Sequence, residues 1–367
     1  MAKQKKRADG RLCKTFTFER KKYFVYGRTK EELENKVIEK KLSLKKQQTY
    51  HDNPTLDQFH ELWADNRKGI IKPATMIDQN FMYNSCANIK INGKRFGDYK
   101  LSKIKAEDIR VIQKALIEIN STSTVNKKIF ALSHIFRDAV NERYIEYNPC
   151  VVVKPLKRTE KKTRDTIHRA LTAEEAKLFI EYAKNSYYLN VFKIALLTGM
   201  RIGEIGALCY SDIYDNMIHI TKTLTKNEVN SFCIGEETKT RQGNRTIPIN
   251  KDIKKVIEEQ KELNKILNRD KITSIQNPLF KSPEGKILRS SCVNNAIKNI
   301  CKKAGIEPVS AHSFRATFAT RCIEQGVQPR TLQELLGHAD FGMTMNLYGH
   351  VLDDTKEKAM NSLNIAL

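Results

Sequence analysis

Six side chains in the second half of the chain are of types that bind anions, transfer protons or act as nucleophiles. They are two arginines, a lysine, two histidines and a tyrosine: Arg201, Lys239, His312, Arg315, His338 and Tyr348. An arginine binds phosphate oxygens through paired hydrogen bonds, and histidine, lysine and tyrosine side chains move protons. Each has an ordinary structural explanation when taken alone, so their order and surroundings carry the argument.

Arg201 lies where the sequence predicts that a helix begins. Gly199 favours a left-handed C-cap, so one helix should end there and the next should open at Arg201. A helix N-terminus presents free N–H groups and a positive dipole end, so an arginine there suits a phosphate cradle. The alternative is an ordinary surface arginine. Glu204, one turn further on, either orients Arg201 or forms a surface pair with it.

Lys239 is predicted to end a strand, before a turn that contains Gly243 and Asn244. A lysine at a hairpin tip either reaches into a DNA groove, supplies a proton, or is simply solvated. His312 and Arg315 are three residues apart, which places them on one face of a predicted helix. A buried and hydrogen-bonded histidine is the ordinary alternative at that position.

The last two residues follow a predicted helix that ends at Gly337. His338 is expected in the turn after this glycine, and Tyr348 in a short helical pattern further along. One tyrosine among 13 carries no argument by itself.

Together, the six residues resemble the signature of the tyrosine recombinases, also called the phage integrase family: Arg, Lys, His-x-x-Arg, His and Tyr. The surrounding segments match as well: TGMRIGEIGAL contains Arg201, HSFRATFAT contains Arg315, and LLGH ends at His338. Thr344 precedes the tyrosine and His350 follows it, as in family members. This specific resemblance spans residues 169–351, and it is closest to integrases of conjugative transposons and temperate phages.

Three departures from the family pattern leave every catalytic group in place. Tyr210 stands where a tryptophan is common, and Ala316 stands where a histidine is frequent. The gap between His338 and Tyr348 is one residue longer than in some members. These departures bear on details of substrate contact and not on the chemistry.

The resemblance implies transesterification at a DNA phosphodiester, with Tyr348 as the nucleophile that forms a 3′-phosphotyrosine. A phenol with a pKa near 10 is ionised to only about one part in a thousand at pH 7, a disadvantage of roughly 4 kcal/mol. The phenol proton must therefore be removed, which the resemblance assigns to His312, and Lys239 is the expected general acid for the leaving 5′ oxygen. No cofactor is expected, since the phosphotyrosine conserves the bond energy and no P-loop sequence occurs.

The same resemblance implies a cationic clamp on the phosphate. Arg201 and Arg315 are expected to hold the non-bridging oxygens in pairs, which lysine does less well. His312 and His338 are expected to donate hydrogen bonds to the same group. No metal-site spacing of cysteines or histidines is present, so these side chains are expected to neutralise the charge that develops.

Composition favours a polyanionic partner. The chain carries 65 Lys and Arg against 42 Asp and Glu, a net charge of +23, and nucleic acid is the usual partner of such an excess. A membrane surface is disfavoured, since no long apolar segment and no signal peptide appear. The eight cysteines are scattered, as expected of thiols in a reducing cytoplasm.

We expect a multidomain, mainly α protein. Residues 1–50 hold 16 Lys and Arg against 6 Asp and Glu. Two strands, 12–19 and 22–27, and a helix capped by Thr29 and Glu32 are predicted there. In this layout the segment resembles the arm-site DNA-binding domains of integrases. Residues 54–150 show helical periodicity, as at Leu56, Phe59, Leu62 and Trp63, and resemble a core-site-binding (SAM-like) bundle. Residues 151–168 read as a charged linker, either crossing a DNA backbone or simply solvated.

Residues 169–367 are predicted to form the catalytic domain, a helical unit that opens with a capping box of Thr172 and Glu175. Three strand-like segments, 216–223, 231–240 and 245–250, predict a small antiparallel sheet within it. The end of the chain after Tyr348 contains a possible amphipathic helix, which either packs on a neighbouring subunit or caps its own domain.

The resulting prediction is an integrase of a mobile element. Its expected partners are double-stranded DNA at core and arm attachment sites, three further copies of the chain in a tetramer on DNA, an excisionase and a DNA-bending host protein. Two alternatives remain at this stage. A type IB topoisomerase shares the arginines and the tyrosine but needs no defined site, and a DNA-binding regulator would share only the charge and the helices.

Overall fold

The computed structural model describes residues 12–18, 21–49, 53–157, 169–238, 241–267 and 277–351. The chain divides into two compact units, Met1–Thr159 and Glu160–Leu367. Each unit is described by itself below.

The first unit opens with a β-hairpin and a helix. Strands β1 (Leu12–Phe18) and β2 (Lys21–Gly27) pair antiparallel, with Leu12 opposite Gly27, and helix α1 spans Lys30–Thr49. A small core of four apolar side chains joins them: Leu12, Val25, Leu33 and Val37. The predicted strands and helix are therefore confirmed. The cap is a variant of the expected one, since Thr29 accepts from the Glu32 N–H while the Glu32 carboxylate accepts from the N–H of Arg28.

A helical bundle follows in the same unit. Its helices are α2 (Leu56–Arg67), α3 (Pro73–Ala87), α4 (Ala106–Ile119) and α5 (Thr122–Asn141), with a short hairpin of β3 (Lys90–Ile91) and β4 (Lys94–Arg95). Leu56, Phe59 and Trp63 are buried as the helical spacing predicts, but Leu62 is half exposed because it lies on the outer side of α2. The Trp63 indole donates to Asp138 at 2.8 Å, which ties α2 to α5.

The described part of the expected linker, residues 151–157, packs on this bundle. Val153 is buried, and the backbone of Leu156 exchanges two hydrogen bonds of 2.9 Å with the Asn126 side chain. Gln113 donates to the Lys154 carbonyl at 3.1 Å. Residues 158–168 lie outside the described residues.

The second unit is helical around a separate core. Its helices are α6 (Ala173–Tyr182), α7 (Leu189–Thr198), α8 (Ile202–Ala207), α9 (Lys251–Ile266), α10 (Ser290–Ala304), α11 (Ala311–Glu324), α12 (Pro329–Leu336) and α13 (Phe341–Val351). The predicted capping box of Thr172 and Glu175 is present at the start of α6. Phe179, Phe192 and Phe314 meet edge to face in the core, at centroid distances of 5.1 to 5.8 Å, so α6, α7 and α11 share one aromatic cluster.

The strands of the second unit form two antiparallel sheets, where the sequence predicted one. One sheet has the order β5 (Ile213–Tyr214), β6 (Met217–Ile220), β9 (Arg245–Pro248). The other is a hairpin of β7 (Leu224–Lys226) and β8 (Phe232–Ile234). The hairpin separates because Leu224 and Ile234 pack on Ala207 at the end of α8.

Among the residues that the structure describes, no helix is long and apolar enough to cross a membrane.

Candidate active site

Arg201 lies at a tight junction between two helices, as the sequence predicts. Helix α7 ends at Thr198, Gly199 takes a left-handed conformation with φ of 63°, and Arg201 is the N-cap of α8. A side chain at Gly199 would be strained by this φ and would approach the Phe318 ring to 2.5 Å. Because Gly199 has no side chain, the end of α7 packs closely against α11 at the junction that precedes Arg201.

Glu204 holds Arg201 from one turn further along α8. Its carboxylate is buried and accepts from the backbone N–H of Arg201 at 2.9 Å and from its guanidinium at 2.8 Å. It also accepts two bonds from Arg245, at 2.8 and 3.1 Å. Burial raises the pKa of Glu204, but the hydrogen bonds and charge of Arg245, followed by those of Arg201, bring the net pKa below its usual range. Glu204 is thus a buried carboxylate shared by two arginines and not a surface pair.

Arg315 is buried in α11, with 4% of its surface exposed. Its guanidinium donates to the carbonyl of Gly199 at 2.8 Å and to the carbonyl of Leu336 at 2.5 Å. Burial, together with the charges of Arg201 and Arg245, lowers its pKa to about 9 against the opposing effect of Glu204. Arg315 is therefore still a cation at neutral pH. It is held rigidly in a partly desolvated position, where a bound anion would offset its repulsion from Arg201 and Arg245.

His338 lies in the turn after α12, which ends where Gly337 takes a φ of 65°. The ring is buried, and its Nδ1 is 2.9 Å from the hydroxyl of Thr344. Burial, followed by the charges of four neighbours, lowers the pKa of His338 to about 4; the neighbours are Arg315, Arg201, Arg245 and His312. The ring is therefore neutral at pH 7, and Thr344 fixes one of its nitrogens.

His312 is the second residue of α11, and its side chain is exposed. It precedes Arg315 by three residues, as predicted for one face of this helix. Its electrostatic effect on His338 places it beside the same set of side chains.

Tyr348 is held in a different manner. Its ring is buried in α13 and packs in an apolar cluster with Ile323, Leu332 and Leu336. Its hydroxyl donates a short hydrogen bond to the carbonyl of Val327. Burial and the nearby Cys322 thiol raise the pKa of Tyr348, which is the opposite of activation. The nucleophile expected from the sequence is thus docked as a neutral phenol.

Lys239 lies outside the described residues. The described residues on its two sides meet, since Thr238 is buried and its hydroxyl donates to Asn244 at 2.8 Å, and the nearby Gln242 carbonyl packs against Gly337, the residue before His338. The described residues of the predicted set therefore fall into two parts: Arg201, His312, Arg315 and His338 act on one another electrostatically, and Tyr348 is docked on Val327.

Sequence reasoning missed Arg245. It lies on β9 two residues before the buried Ile247, so the alternation of a strand places both side chains on the inner face. The alternation of side chains along the strand could have indicated that Arg245 points inward. It could not have identified the side chains and carbonyls that Arg245 contacts there.

The model of the phage integrase family matches residues 169–355, about half of the chain. The chain belongs to the phage integrase family. It is a tyrosine-type site-specific recombinase with the function of an integrase, and the match covers the whole arrangement described above. The family prediction made from the motifs is confirmed.

Relatives and solved structures agree with this assignment. The chain is 29% identical over 282 residues to the ICEBs1 integrase of Bacillus subtilis (strain 168), which covers 75% of both chains. The integrase of transposon Tn1549, solved with circular intermediate DNA, superposes with a TM-score of 0.67 at 22% identity, covering 84% of this chain and 99% of the other. A lambda integrase tetramer bound to a Holliday junction gives a TM-score of 0.60 at 18% identity, over 93% of each chain. These structures show the fold, and the predicted fold class is confirmed.

Proposed function

We propose that this recombinase cuts and rejoins DNA with Tyr348 as the nucleophile and with Arg201, Lys239, His312, Arg315 and His338 as the groups that stabilise the transferring phosphate. One observation carries the proposal: Arg201, Arg315 and the two histidines of the described set act on one another electrostatically within one site, where two arginine cations face a neutral His338, and Arg315 and His338 are held in place by hydrogen bonds. Such a group suits a phosphate whose negative charge increases in the transition state.

The clamp follows from the geometry of the donors. Glu204 anchors Arg201 through one hydrogen bond to its guanidinium. The Arg201 side chain is 42% exposed, so it can still reach a ligand. Arg315 is fixed by two carbonyls and brings a buried charge to the same place. His338 is neutral, and Thr344 bonds its Nδ1; we assign the Thr344 hydroxyl as the donor to Nδ1, which leaves Nε2–H as the donor for a non-bridging oxygen. None of these groups has to move when negative charge develops on the phosphate. Donors that are already in position are the main source of this kind of electrostatic catalysis.

The reaction proceeds in two steps, cleavage of the first strand and rejoining to a second. The Tyr348 oxygen attacks phosphorus, its proton passes to His312, and the bond from phosphorus to the 5′ oxygen breaks as Lys239 protonates that oxygen. The product is a 3′-phosphotyrosine and a free 5′ hydroxyl. In the second step a 5′ hydroxyl of the partner duplex attacks the phosphotyrosine and the same proton transfers run in reverse. The number of high-energy bonds is unchanged, so no nucleotide cofactor is consumed.

Tyr348 must leave its docked position before the first step. Its hydroxyl is bonded to Val327 and its pKa is raised, so the docked state is unreactive. We propose that DNA binding shifts α13 to a state in which the phenol reaches the clamp, at the cost of one hydrogen bond and some apolar burial.

The remaining partners and the division of the chain belong to the same proposal. Residues 1–50 bind arm sites, 54–150 bind the core site, 151–168 connect the units, and 169–367 carry out the chemistry. The basic excess of the chain supports DNA as the partner. A tetramer on DNA at both attachment sites, a directionality factor such as an excisionase, and a DNA-bending host protein complete the reaction. It takes place in the cytoplasm, where bacterial DNA lies.

A recombination assay tests this function. Two plasmids are incubated with the full chain, and joint molecules are counted. One plasmid carries the two DNA ends that flank the protein's own gene, joined to each other, and the other carries the target sequence without the element. We expect products with the wild type and none with Tyr348→Phe. Lys239→Ala should cleave poorly on ordinary DNA but recover on a substrate with a 5′-bridging sulfur, since a thiolate leaves without a proton. Lack of recovery would remove Lys239 from the role of general acid.

A further inference from the structure

Arg245 uses nearly every donor of its side chain, although it is not one of the six residues of the family signature. It is 5% exposed. Nη1 and Nη2 donate to the Glu204 carboxylate at 3.1 and 2.8 Å, Nε donates to the Leu335 carbonyl at 2.7 Å, and Nη1 also lies 3.3 Å from the Gly243 carbonyl. A buried arginine with this many fixed partners is fully ordered by the fold.

The partners of Arg245 belong to three separate segments that carry the active site. Glu204 holds the backbone and the guanidinium of Arg201 at the start of α8. Leu335 lies in the last turn of α12, three residues before His338. Gly243 lies in the turn between Lys239 and β9. One side chain therefore links Arg201, the turn that carries His338, and the turn of residues 241–243 that precedes β9.

Close packing at Gly337 strengthens the link. A Cβ on Gly337 would approach the Gln242 carbonyl to 2.8 Å and the Arg245 side chain to 3.0 Å, and its φ of +65° already disfavours other residues. The turn that carries His338 thus packs directly against Arg245 and against the backbone of Gln242. A shift of Arg245 would move this turn.

Electrostatics agree with the geometry. Arg245 contributes most among the groups that keep Glu204 ionised against the effect of burial. Without it, Glu204 would bind a proton more readily and would hold Arg201 less firmly. The charge of Arg245 also acts on both Arg315 and His338.

We propose that Arg245 is a positioning residue for DNA cleavage, which sets Arg201 through Glu204 and His338 through the Leu335 carbonyl. The inference rests on the proposed function, since it assumes that Arg201 and His338 bind the phosphate. Lysine cannot replace this arginine, because one ammonium group cannot span a carboxylate on one side and a carbonyl of another helix on the other.

The test compares Arg245→Lys with Arg169→Lys in the full chain. Arg169 is a matched control, since it makes a bidentate pair with Glu175 at 2.6 and 2.7 Å in the same unit. Cleavage is measured in single turnover on a nicked duplex from the DNA flanking the protein's own gene, at saturating protein, with melting temperature and DNA affinity measured alongside. We expect Arg245→Lys to slow cleavage by about ten- to a hundredfold, because small misplacements of catalytic groups have effects of that size. Arg169→Lys should cleave at the wild-type rate.

A double variant separates positioning from general stability. Because Arg245 acts partly through Arg201, Arg201→Lys with Arg245→Lys should cleave clearly faster than the product of the two single effects predicts, whereas independent effects would multiply in full. Should Arg245→Lys fail to fold, Glu204→Gln interrupts the part of the link that runs through Arg201 with a side chain of nearly equal shape, and its loss should not multiply with that of Arg201→Lys.

The outcomes distinguish this inference from the proposed function. Wild-type cleavage by Arg201→Lys would remove the clamp itself, and with it the proposed function. A slow Arg201→Lys beside a folded Arg245→Lys that cleaves at the wild-type rate would overturn only the role of Arg245. Multiplying effects in the double variant would also overturn it.

Discussion

The hydroxyl of Tyr348 donates a hydrogen bond to the backbone carbonyl of Val327, 21 residues earlier in the chain. This bond keeps the phenol in an apolar cluster beside α11 and α12. Arg201, His312, Arg315 and His338 already lie together, so under the proposed mechanism Tyr348 is the side chain that has to move before it can attack the phosphate.

Docking should protect Tyr348 from chemical modification. Tyr147 and Tyr182 are 58% and 50% exposed, whereas Tyr348 is 7% exposed and burial raises its pKa. We expect tetranitromethane, which reacts with the phenolate, to nitrate Tyr348 several times more slowly than the two exposed tyrosines. Mass spectrometry of the digested free protein measures the rates. Equal rates would show that the docked state is not the main one in solution.

Arg315→Lys should abolish most of the cleavage. A lysine cannot bond both the Gly199 and Leu336 carbonyls and still present paired donors to phosphate. We expect single-turnover cleavage to fall by about a hundredfold or more, with DNA affinity changed far less. Arg321→Lys, on the same helix but bound to Glu324 at the surface, is the control and should retain activity. A strong loss in the control would point to helix stability and not to the clamp.

His338 should stay neutral over an unusually wide pH range. Its pKa is lowered to about 4 by burial and by Arg315, Arg201, Arg245 and His312. The folded state therefore binds fewer protons than the unfolded state between about pH 4 and 6.5. The contribution of this histidine to the free energy of unfolding is complete above about pH 6.5 and decreases as the pH falls towards 4.

NMR of the histidine ring carbons measures this titration, and the His338→Gln variant assigns the signal. A signal that titrates near pH 6.5 would contradict the description of His338 as a neutral donor.

The hydroxyl of Thr344 should be required for fast DNA cleavage. It is completely buried and bonds Nδ1 of His338 at 2.9 Å. Thr344→Val removes that bond and leaves a buried nitrogen without a partner, so we expect cleavage to slow by about tenfold. Thr344→Ser keeps the hydroxyl and should restore most of the rate. If serine and valine cleave equally slowly, the methyl packing of Thr344 matters and not the hydrogen bond to His338.

The local features of the site could be predicted from the sequence. Gly199 and Gly337 end helices in left-handed conformations because glycine adopts positive φ without strain, and this places Arg201 and His338 just after them. The motifs around Arg201, Arg315 and Tyr348 then led to the family. These predictions depend on neighbouring residues, which a sequence displays directly.

The contacts between distant segments could not be predicted. Glu204 meets Arg245 across 41 residues, and Arg245 meets Leu335 across 90. Tertiary packing alone determines these pairs, and no spacing in the sequence encodes them. The same holds for the bond from Tyr348 to Val327, and for the separate hairpin of β7 and β8, whose pairing depends on packing against α8.

The most direct test of the central claim is covalent capture on a denaturing gel. Purified full-length protein is incubated in EDTA with a labelled duplex from the DNA flanking its own gene, nicked so that the cleaved strand cannot be rejoined. The account predicts a slow protein–DNA band attached at a 3′ phosphate, present with the wild type and absent with Tyr348→Phe. A band that persists in Tyr348→Phe, or DNA that is bound tightly by the wild type but never linked to it, would contradict the assignment of Tyr348 as the nucleophile.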